Sequence, residues 1–210
     1  MSSLPICYIV GAGESVGLDF RPGPKDLLIA ADGGYAAVQQ VGLRPDLVIG
    51  DFDSLGHAPQ AEQVISLPTV KDVTDSWAAV EQGLQRGYRR FALYNCTGGR
   101  FEHTLANLQM AADLAARGCE CRIFSRSQVY TALANGTMEF DPAHSGFLSV
   151  FSHTDRCIGV CLKGLKYELE DAELSNRFPL GVSNEFLGLP STVTIGCGIA
   201  LLVFDRPGNP

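Results

Sequence analysis

The sequence has no apolar run long enough to cross a membrane, because its longest runs fall far short of the ~20 residues that a spanning helix needs. Residues 1–5 lack the basic segment and long apolar stretch of a secretory signal. The seven cysteines include no CxxC pair, the Cys119 to Cys121 spacing does not suit a zinc site, and only four histidines are present. We therefore expect reduced, mostly buried thiols in a cytoplasmic protein.

Positive charge is also scarce, with 16 Lys and Arg against 23 Asp and Glu and a formal net charge of −7. This balance disfavours nonspecific binding to nucleic acid or to membranes, so we expect neither as a partner. A small anionic ligand remains compatible, because backbone N–H groups and a metal ion can hold it. With 210 residues, 46% hydrophobic and 19% charged, the chain is predicted to form one large globular domain or two small ones.

Up to about residue 126, short apolar runs alternate with amphipathic segments. This alternation predicts an α/β fold with a mostly parallel sheet and helices on both of its faces. The predicted strands are 6–10, 27–31, 47–49, 64–67, 91–94 and 121–124. The predicted helices are 35–41, 74–86 and 101–117. The apolar stripe predicted for the third helix consists of Phe101, Leu105, Leu108, Ala112 and Ala115.

Beyond residue 126 the helical period disappears and short β-rich runs follow one another. These runs are 128–133, 136–140, 147–152, 157–162, 192–195 and 199–204. Gly, Pro, Asn and Asp separate them, which predicts a compact antiparallel sandwich or barrel. We therefore predict two domains, 1–126 and 127–210, and expect the small second one to lean on a neighbour or a second subunit.

Two acids follow the strand predicted at 47–49, one residue apart. Residues i and i+2 of an extended segment project to the same side, so Asp51 and Asp53 aim together while Phe52 points toward the core. Carboxylates about 6–7 Å apart repel each other unless a cation lies between them, and a hard divalent ion suits oxygen ligands. Alone, an Asp-x-Asp pair is more often a solvated surface turn than a metal site.

Every loop predicted to follow a strand contains glycines, acids or a cation. Ligands of open α/β sheets bind beyond the carboxyl ends of the strands. The first loop reads GxGxxxG from Gly11 and has no clean helix after it, which favours a tight turn over a dinucleotide site. Its glycines still allow backbone to approach a ligand closely.

The segment 71–76 opens the helix predicted from residue 74. Thr74 is a good N-cap, and Asp72 and Asp75 could serve only to stabilise the positive end of the helix. The functional alternative is that Asp75 joins Asp51 and Asp53 around a cation, with Lys71 on a phosphate.

A Gly98-Gly99 turn precedes the third predicted helix. At 100° per residue, one face of this helix presents Arg100, His103, Thr104 and Asn107. Free N–H groups, the positive end of the helix dipole and an arginine fork would suit a phosphate. A solvated helix face is the simpler alternative.

In this order and spacing, these segments resemble those of thiamine pyrophosphokinases. Each motif alone is weak, but the whole set in this order is specific, and it covers nearly the whole chain. The N-terminal motifs are Ala31-Asp32-Gly33-Gly34, Gly50-Asp51-Phe52-Asp53-Ser54, Lys71-Asp72-x-Thr74-Asp75 and Gly98-Gly99-Arg100-x-Glu102-His103-x-x-x-Asn107. The segments similar to the family's substrate side are 164–167 and 181–185.

The resemblance implies an ATP-binding catalytic domain at 1–126 and a thiamine-binding β-sandwich at 127–210, assembled as a homodimer that shares its active sites between subunits. It implies diphosphoryl transfer, in which the hydroxyl of thiamine attacks the β-phosphorus of ATP and AMP leaves. The Mg²⁺ ligands implied are Asp51, Asp53 and Asp75, which with Arg100 form the expected catalytic set.

Together with the loop residues above, the expected ATP-binding set is large. It comprises Gly11, Asp32, Gly33, Gly34, Lys71, Asp72, Thr74, Gly98, Gly99, Arg100, His103 and Asn107. The resemblance also implies that an aromatic residue, here Tyr167, stacks on thiamine, with Ser183 and Asn184 nearby. The family often has Trp at that position, and it commonly has Asp where this chain has Glu102, which the helical wheel points away from Arg100.

Two other functions fit the same motifs less well. One is a diphosphokinase for another small alcohol, such as a hydroxymethylpterin, but the β-rich second domain favours thiamine. The other is a non-catalytic nucleotide-sensing module, which we would expect to lack the metal-binding acids.

Overall fold

The structure is a computed structural model that describes residues 4–51, 61–68 and 72–206. It divides into two compact units, one formed by residues 1–107 with 121–126 and the other by residues 108–120 with 127–210. The second unit thus includes residues 108–120, which lie before the predicted domain boundary.

The first unit contains a sheet whose strands lie in the order β6-β5-β1-β2-β3-β4. The pairs β1–β2, β1–β5, β2–β3 and β3–β4 are parallel, which confirms the predicted α/β class. Its elements, with the helix that continues into the second unit, are β1 (Cys7–Val10), β2 (Leu27–Ala31), α1 (Gly34–Gln40), β3 (Leu47–Gly50), β4 (Gln63–Ser66), α2 (Asp75–Gln85), β5 (Arg90–Tyr94), α3 (Phe101–Ala116) and β6 (Glu120–Phe124).

Helices cover both faces of this sheet. Successive residues of a strand point to opposite faces, so contacts to different residues of β1 show which face each helix covers. Tyr35 and Val38 of α1 belong to a buried cluster with Val10 of β1. On the other face, Gly83 of α2 approaches Cys7 so closely that an added Cβ would lie 2.9 Å from its Sγ. The β1–β2 connection contains no helix, and its Phe20 stacks on Tyr8 with ring centroids 4.3 Å apart.

The second unit is built mainly from antiparallel strands, which confirms the strand-rich C-terminal domain. Its strands are β7 (Gln128–Phe140), β8 (Phe147–Ser152), β9 (Arg156–Lys163), β10 (Leu169–Ser175), β11 (Asn184–Glu185) and β12 (Ser191–Asp205). On one edge β12 pairs with β7 along its length, and on the other it pairs first with β9 and then with β8. The register shift between Ile195 and Ile199 marks this change of partner.

The sequence prediction divides these two long strands into four shorter ones. In β7 the division falls at Asn135, which has a φ of 46°, and in β12 it falls at Gly196 to Gly198. Gly and Asn favour positive φ and usually indicate turns in a sequence. Here they occur within continuous strands instead. The short strands β10 and β11 were not predicted.

The predicted apolar stripe of α3 is wrong for Phe101 and Leu105, although its member Ala112 is buried. Phe101 and Leu105 are exposed, at 72% and 45%, and the residues that face the interior follow a different 3.6-residue period. The buried residues of this helix are Asn107, Met110, Ala111, Ala112 and Leu114. A prediction from hydrophobic periodicity does not identify this buried face, because the amide of Asn107 occupies a position where a hydrophobic residue is expected.

Within the described residues, no helix has both the length and the apolar character that a membrane crossing requires. All seven cysteines are free thiols, and five of them are buried.

Candidate active site

Loops that follow the parallel strands of the first unit surround a cleft of about 740 Å³. Carboxyl ends of parallel strands meet at one edge of a sheet, which is where such folds bind ligands. The cleft is lined by Gly11, Ala12, Gly13, Ala31, Asp32, Asp72, Val73, Thr74, Asp75, Ser76, Asn95, Cys96, Thr97, Gly98, Gly99, Arg100, His103 and Asn107.

The loop after β1 is fastened to the loop after β5 by backbone hydrogen bonds. These run from Gly11 N to Tyr94 O (2.9 Å), from Gly13 N to Asn95 O (2.7 Å) and from Glu14 N to Thr97 O (2.9 Å). The two loops approach closely, since a Cβ on Gly13 would lie 2.7 Å from both of the carbonyl oxygens that it faces. Only glycine fits here, so the GxG pattern serves loop-to-loop packing.

The entry to α3 forms another wall of the cleft. Gly98 and Gly99 have φ values of 75° and 61°, a left-handed conformation that side chains disfavour. Farther along the helix, Asn107 is buried and its Nδ2 donates to the carbonyl of Cys96 at 2.8 Å. Asn107 therefore lines the cleft and also holds the loop after β5 in place.

Arg100 is exposed at the mouth of the cleft and has partners on its own helix. Its Nη2 donates to Nε2 of His103, and its Nε lies 3.5 Å from Oε1 of Glu102. The prediction that Glu102 points away from Arg100 is wrong, because both side chains are long and exposed at the first turn. An exposed ion pair of this kind is weak, so Arg100 can exchange it for an anionic ligand.

The acids of the cleft come from two elements. Asp32 follows β2 with a φ of 49°, and its N–H donates to the carbonyl of Ile49 on β3 at 2.8 Å. Asp75 is the first residue of α2, whose N-cap Thr74 accepts a hydrogen bond from Trp77 N at 3.2 Å. Capping and cleft lining are thus combined in this one turn.

Five of the residues predicted to bind ATP or Mg²⁺ are not among the described residues that line the cleft. Asp51 follows β3 and is half-buried outside the lining, while Asp53 and Lys71 lie outside the described residues. Gly33 and Gly34 are not in the lining either. Gly34 is buried against β1, where an added Cβ would lie 1.9 Å from the carbonyl oxygen of Val10.

Among the described residues no group of three or more His, Cys, Asp or Glu side chains is arranged to hold a metal ion. The lining nevertheless contains three aspartates, Asp32, Asp72 and Asp75, and a single arginine. Oxygen donors of this kind suit Mg²⁺, which takes one or two carboxylates and completes its shell with water and phosphate. Because acids outnumber cations among the described lining residues, a cation that accompanies an anionic ligand would favour its binding.

Cys96 also lines the cleft, but it is unsuited to nucleophilic chemistry. Burial raises the pKa of its thiol to about 11, and its Sγ donates to the carbonyl of Tyr94 at 3.2 Å. At neutral pH it is therefore a protonated, hydrogen-bonded thiol, whereas the thiolate is the reactive form.

In the second unit, the two segments predicted for the substrate side lie together. Tyr167 N donates to Asn184 Oδ1 at 2.9 Å, and Asn184 Nδ2 donates to the Tyr167 carbonyl at 2.7 Å. Asn184 is 4% exposed, whereas Tyr167 is 59% exposed. Asn184 therefore orients the backbone of Tyr167, whose ring projects outward.

Neighbouring groups complete this surface. Lys166 Nζ forms an ion pair with Glu185 Oε1 at 2.7 Å, which raises the pKa of Lys166, and lies 5.6 Å from the centre of the Tyr167 ring. Ser183 is exposed with a φ of 57°, and its N–H donates to Ser149 Oγ at 3.0 Å.

Comparison with known proteins gives a family match in both the N-terminal and the C-terminal part of the chain. Residues 24–123 match the family model of the thiamin pyrophosphokinase catalytic domain, and residues 137–200 match that of the thiamin pyrophosphokinase vitamin B1 binding domain. The chain belongs to the thiamine pyrophosphokinase family. The thiamine pyrophosphokinase of Bacillus subtilis (strain 168) is 22% identical over 184 residues, which cover 84% of this chain and 86% of that protein.

Solved structures of thiamine pyrophosphokinases have the same fold. The enzyme from Geobacillus thermodenitrificans matches with a TM-score of 0.84 and 26% identity over 97% of this chain and 99% of that one. The yeast enzyme matches with a TM-score of 0.76 at 13% identity over 98% of this chain and 87% of that one.

Several lining residues of this thiamine pyrophosphokinase cleft were not among the predicted site residues. Asn95, Cys96 and Thr97 directly follow β5, so the rule that ligands bind beyond strand ends could have identified them. Unlike the glycines and charged residues at the other strand ends, their side chains indicate no particular chemistry. Ser76 follows Asp75 in the first turn of α2, and no pattern in the sequence distinguishes it.

Proposed function

We propose that the protein is a thiamine diphosphokinase, which transfers a diphosphoryl group from ATP to the hydroxyl of thiamine and releases AMP and thiamine diphosphate. The observation that carries this conclusion is the presence, in one chain, of both the catalytic and the vitamin B1 binding parts of the family. The residues from Ala31 to Asn107 that line the cleft lie within the matched catalytic region, and the cleft is large enough for a nucleotide.

ATP occupies this cleft, with its phosphates near the entry to α3. The N-terminus of this 16-residue helix offers N–H groups and the positive end of its dipole. Arg100 adds a guanidinium at the mouth, and His103 lies beside it. Phosphoryl transfer requires positioning and charge neutralisation more than covalent help from the protein, which agrees with this arrangement.

Asp75 is a proposed ligand of Mg²⁺, with Asp51 and Asp53 as the other members of the set. When bound, Mg²⁺ neutralises charge on the phosphates and polarises the bond that breaks. The carboxylates also restrict where the triphosphate lies, since they repel phosphate oxygens that no cation screens.

Thiamine binds at the surface around Tyr167, with Ser183 beside it. The Tyr167 ring is exposed while its backbone is fixed by Asn184, so the ring is ready to stack without a large loss of entropy. A homodimer with active sites shared between subunits, located in the cytoplasm, completes the proposal. Exposed apolar side chains of the second unit support dimerisation, namely Phe147, Phe178, Leu180, Val182, Leu187 and Leu189.

Replacing Tyr167 by alanine is expected to raise the KM for thiamine about tenfold, because a stacking contact is worth about 1 kcal/mol or somewhat more. The kcat and the KM for ATP should change less than threefold. Steady-state kinetics with each substrate varied in turn measures both. Ile158→Ala, which removes an exposed apolar side chain of the same unit that is not among those assigned to the dimer, is the control. An unchanged KM for thiamine in Tyr167→Ala would show that the substrate surface lies elsewhere.

The function itself is tested by incubating the protein with ATP, Mg²⁺ and thiamine and separating the products by chromatography. We expect AMP and thiamine diphosphate in equal amounts, and no AMP when thiamine is omitted. Formation of ADP would indicate a monophosphoryl kinase. AMP with a hydroxymethylpterin but not with thiamine would indicate the other diphosphokinase, and nucleotide binding without turnover would indicate a sensing module.

A further inference from the structure

Asn95 occupies an unusual position at the end of β5. It has a φ of 53°. Residues other than glycine disfavour this conformation, and among them Asn and Asp tolerate it best. It is 4% exposed, and its Oδ1 accepts a hydrogen bond from the N–H of Val16 at 3.0 Å. Its backbone carbonyl accepts another from Gly13 at 2.7 Å. Both oxygens of Asn95 thus hold the segment that follows β1.

This arrangement leaves little space between the two loops. A Cβ would lie 2.8 Å from the Asn95 carbonyl oxygen if placed on Gly11, and 2.7 Å if placed on Gly13. Of the four hydrogen bonds described between these loops, three join backbone groups and would form with other residue types. The bond from Val16 to Oδ1 is the one that depends on the Asn95 side chain.

We infer that Asn95 is a positioning residue for nucleotide binding. Its side chain fixes the position of residues 11–16, which form part of the cleft wall, relative to the loop after β5. It acts through the loop backbone at Gly11 and Gly13, both of which line the cleft. This inference rests on the proposal that the cleft binds ATP. It predicts an effect on ATP affinity that is separate from any effect on stability or on thiamine.

The test replaces Asn95 by glycine, which adopts positive φ freely but has no acceptor for Val16. Loss of this one hydrogen bond is expected to raise the Kd for ATP with Mg²⁺ about fivefold, as measured by calorimetry. The KM for ATP should rise equally, while kcat and the KM for thiamine stay within twofold. Asn95→Ser, whose hydroxyl ends one bond short of the Oδ1 position, should give the same pattern and replaces the glycine variant if that one does not fold.

Asn135 offers a matched control in the second unit. It too has a positive φ, 46°, and its Oδ1 accepts a backbone hydrogen bond, from Gly198 at 2.9 Å. It does not line the cleft. Asn135 is exposed, so Asn135→Gly should lower the Tm no more than Asn95→Gly does and should leave the Kd for ATP unchanged.

Equal losses of Tm in the two glycine variants with an unchanged Kd for ATP would overturn the inference and leave Asn95 a structural residue. A fall in kcat with no change in ATP affinity would overturn it as well. Failure of the proposed function is a distinct result. If the wild-type protein binds ATP but forms no AMP, the function is wrong, and the Kd comparison still decides the role of Asn95.

Discussion

Replacing Asp75 by asparagine is expected to lower kcat about 10³-fold at saturating ATP, thiamine and Mg²⁺. Asparagine keeps the size of the side chain but removes the charge that the proposed metal site requires, and a factor of 10³ corresponds to about 4 kcal/mol of transition-state stabilisation. The fold should persist, because the first turn of α2 keeps Thr74 as its N-cap and loses only about 0.3–1 kcal/mol of interaction with the helix dipole. Initial rates of AMP formation and the Tm measure the two effects.

Glu81→Gln is the matched control, because it removes the same charge from the same helix at a position outside the cleft lining. Its kcat should remain within twofold of wild type. Excess Mg²⁺ should not restore Asp75→Asn, since the lost group is a ligand and not a weak secondary site. A variant that keeps more than a tenth of wild-type turnover, or an equal loss in Glu81→Gln, would refute the role of Asp75.

One topological rule accounts for most of what the sequence could predict about the site. Gly11, Asp32, Asp75 and Arg100 are far apart in the chain, and the structure brings them to one cleft. The strands that precede these residues are short apolar runs followed by glycines or polar residues, so the ends of the strands could be recognised in the sequence. Because parallel strands place those ends at one edge, convergence followed without any knowledge of side-chain contacts. The chemical roles of these residues remain predictions.

Prediction failed where a side chain's partner is distant in the sequence. The buried face of α3 includes Asn107 because its amide reaches the carbonyl of Cys96, and Phe101 is left exposed. Hydrophobic periodicity assigns every polar residue to solvent, so it cannot detect a buried amide with a partner. Asn95 is a similar case, since its partner Val16 lies 79 residues away.

Gly34→Ala is expected to produce the largest loss of stability, about 3 kcal/mol or more. The added methyl carbon would lie 1.9 Å from the carbonyl oxygen of Val10 and 2.6 Å from its carbonyl carbon, and both are backbone atoms of a buried strand. Helix α1 must therefore move away from β1, which loosens the packing of Tyr35 and Val38. For a chain of this size, 3 kcal/mol corresponds to a fall in Tm of about 6–12 °C.

Gly23→Ala provides the comparison, because its new methyl carbon would meet only Asp26 Oδ2, at 3.4 Å, and its φ lies outside the left-handed region. Its stability should stay within about 0.5 kcal/mol of wild type. The pair also separates two reasons for the Asp32-Gly33-Gly34 motif. If Gly34 serves close approach to the nucleotide, alanine raises the Kd for ATP and leaves the Tm unchanged. If Gly34 serves packing of α1 on β1, alanine lowers the Tm. Any weakening of ATP binding is then a secondary effect, which arises because the end of β1 also positions Gly11.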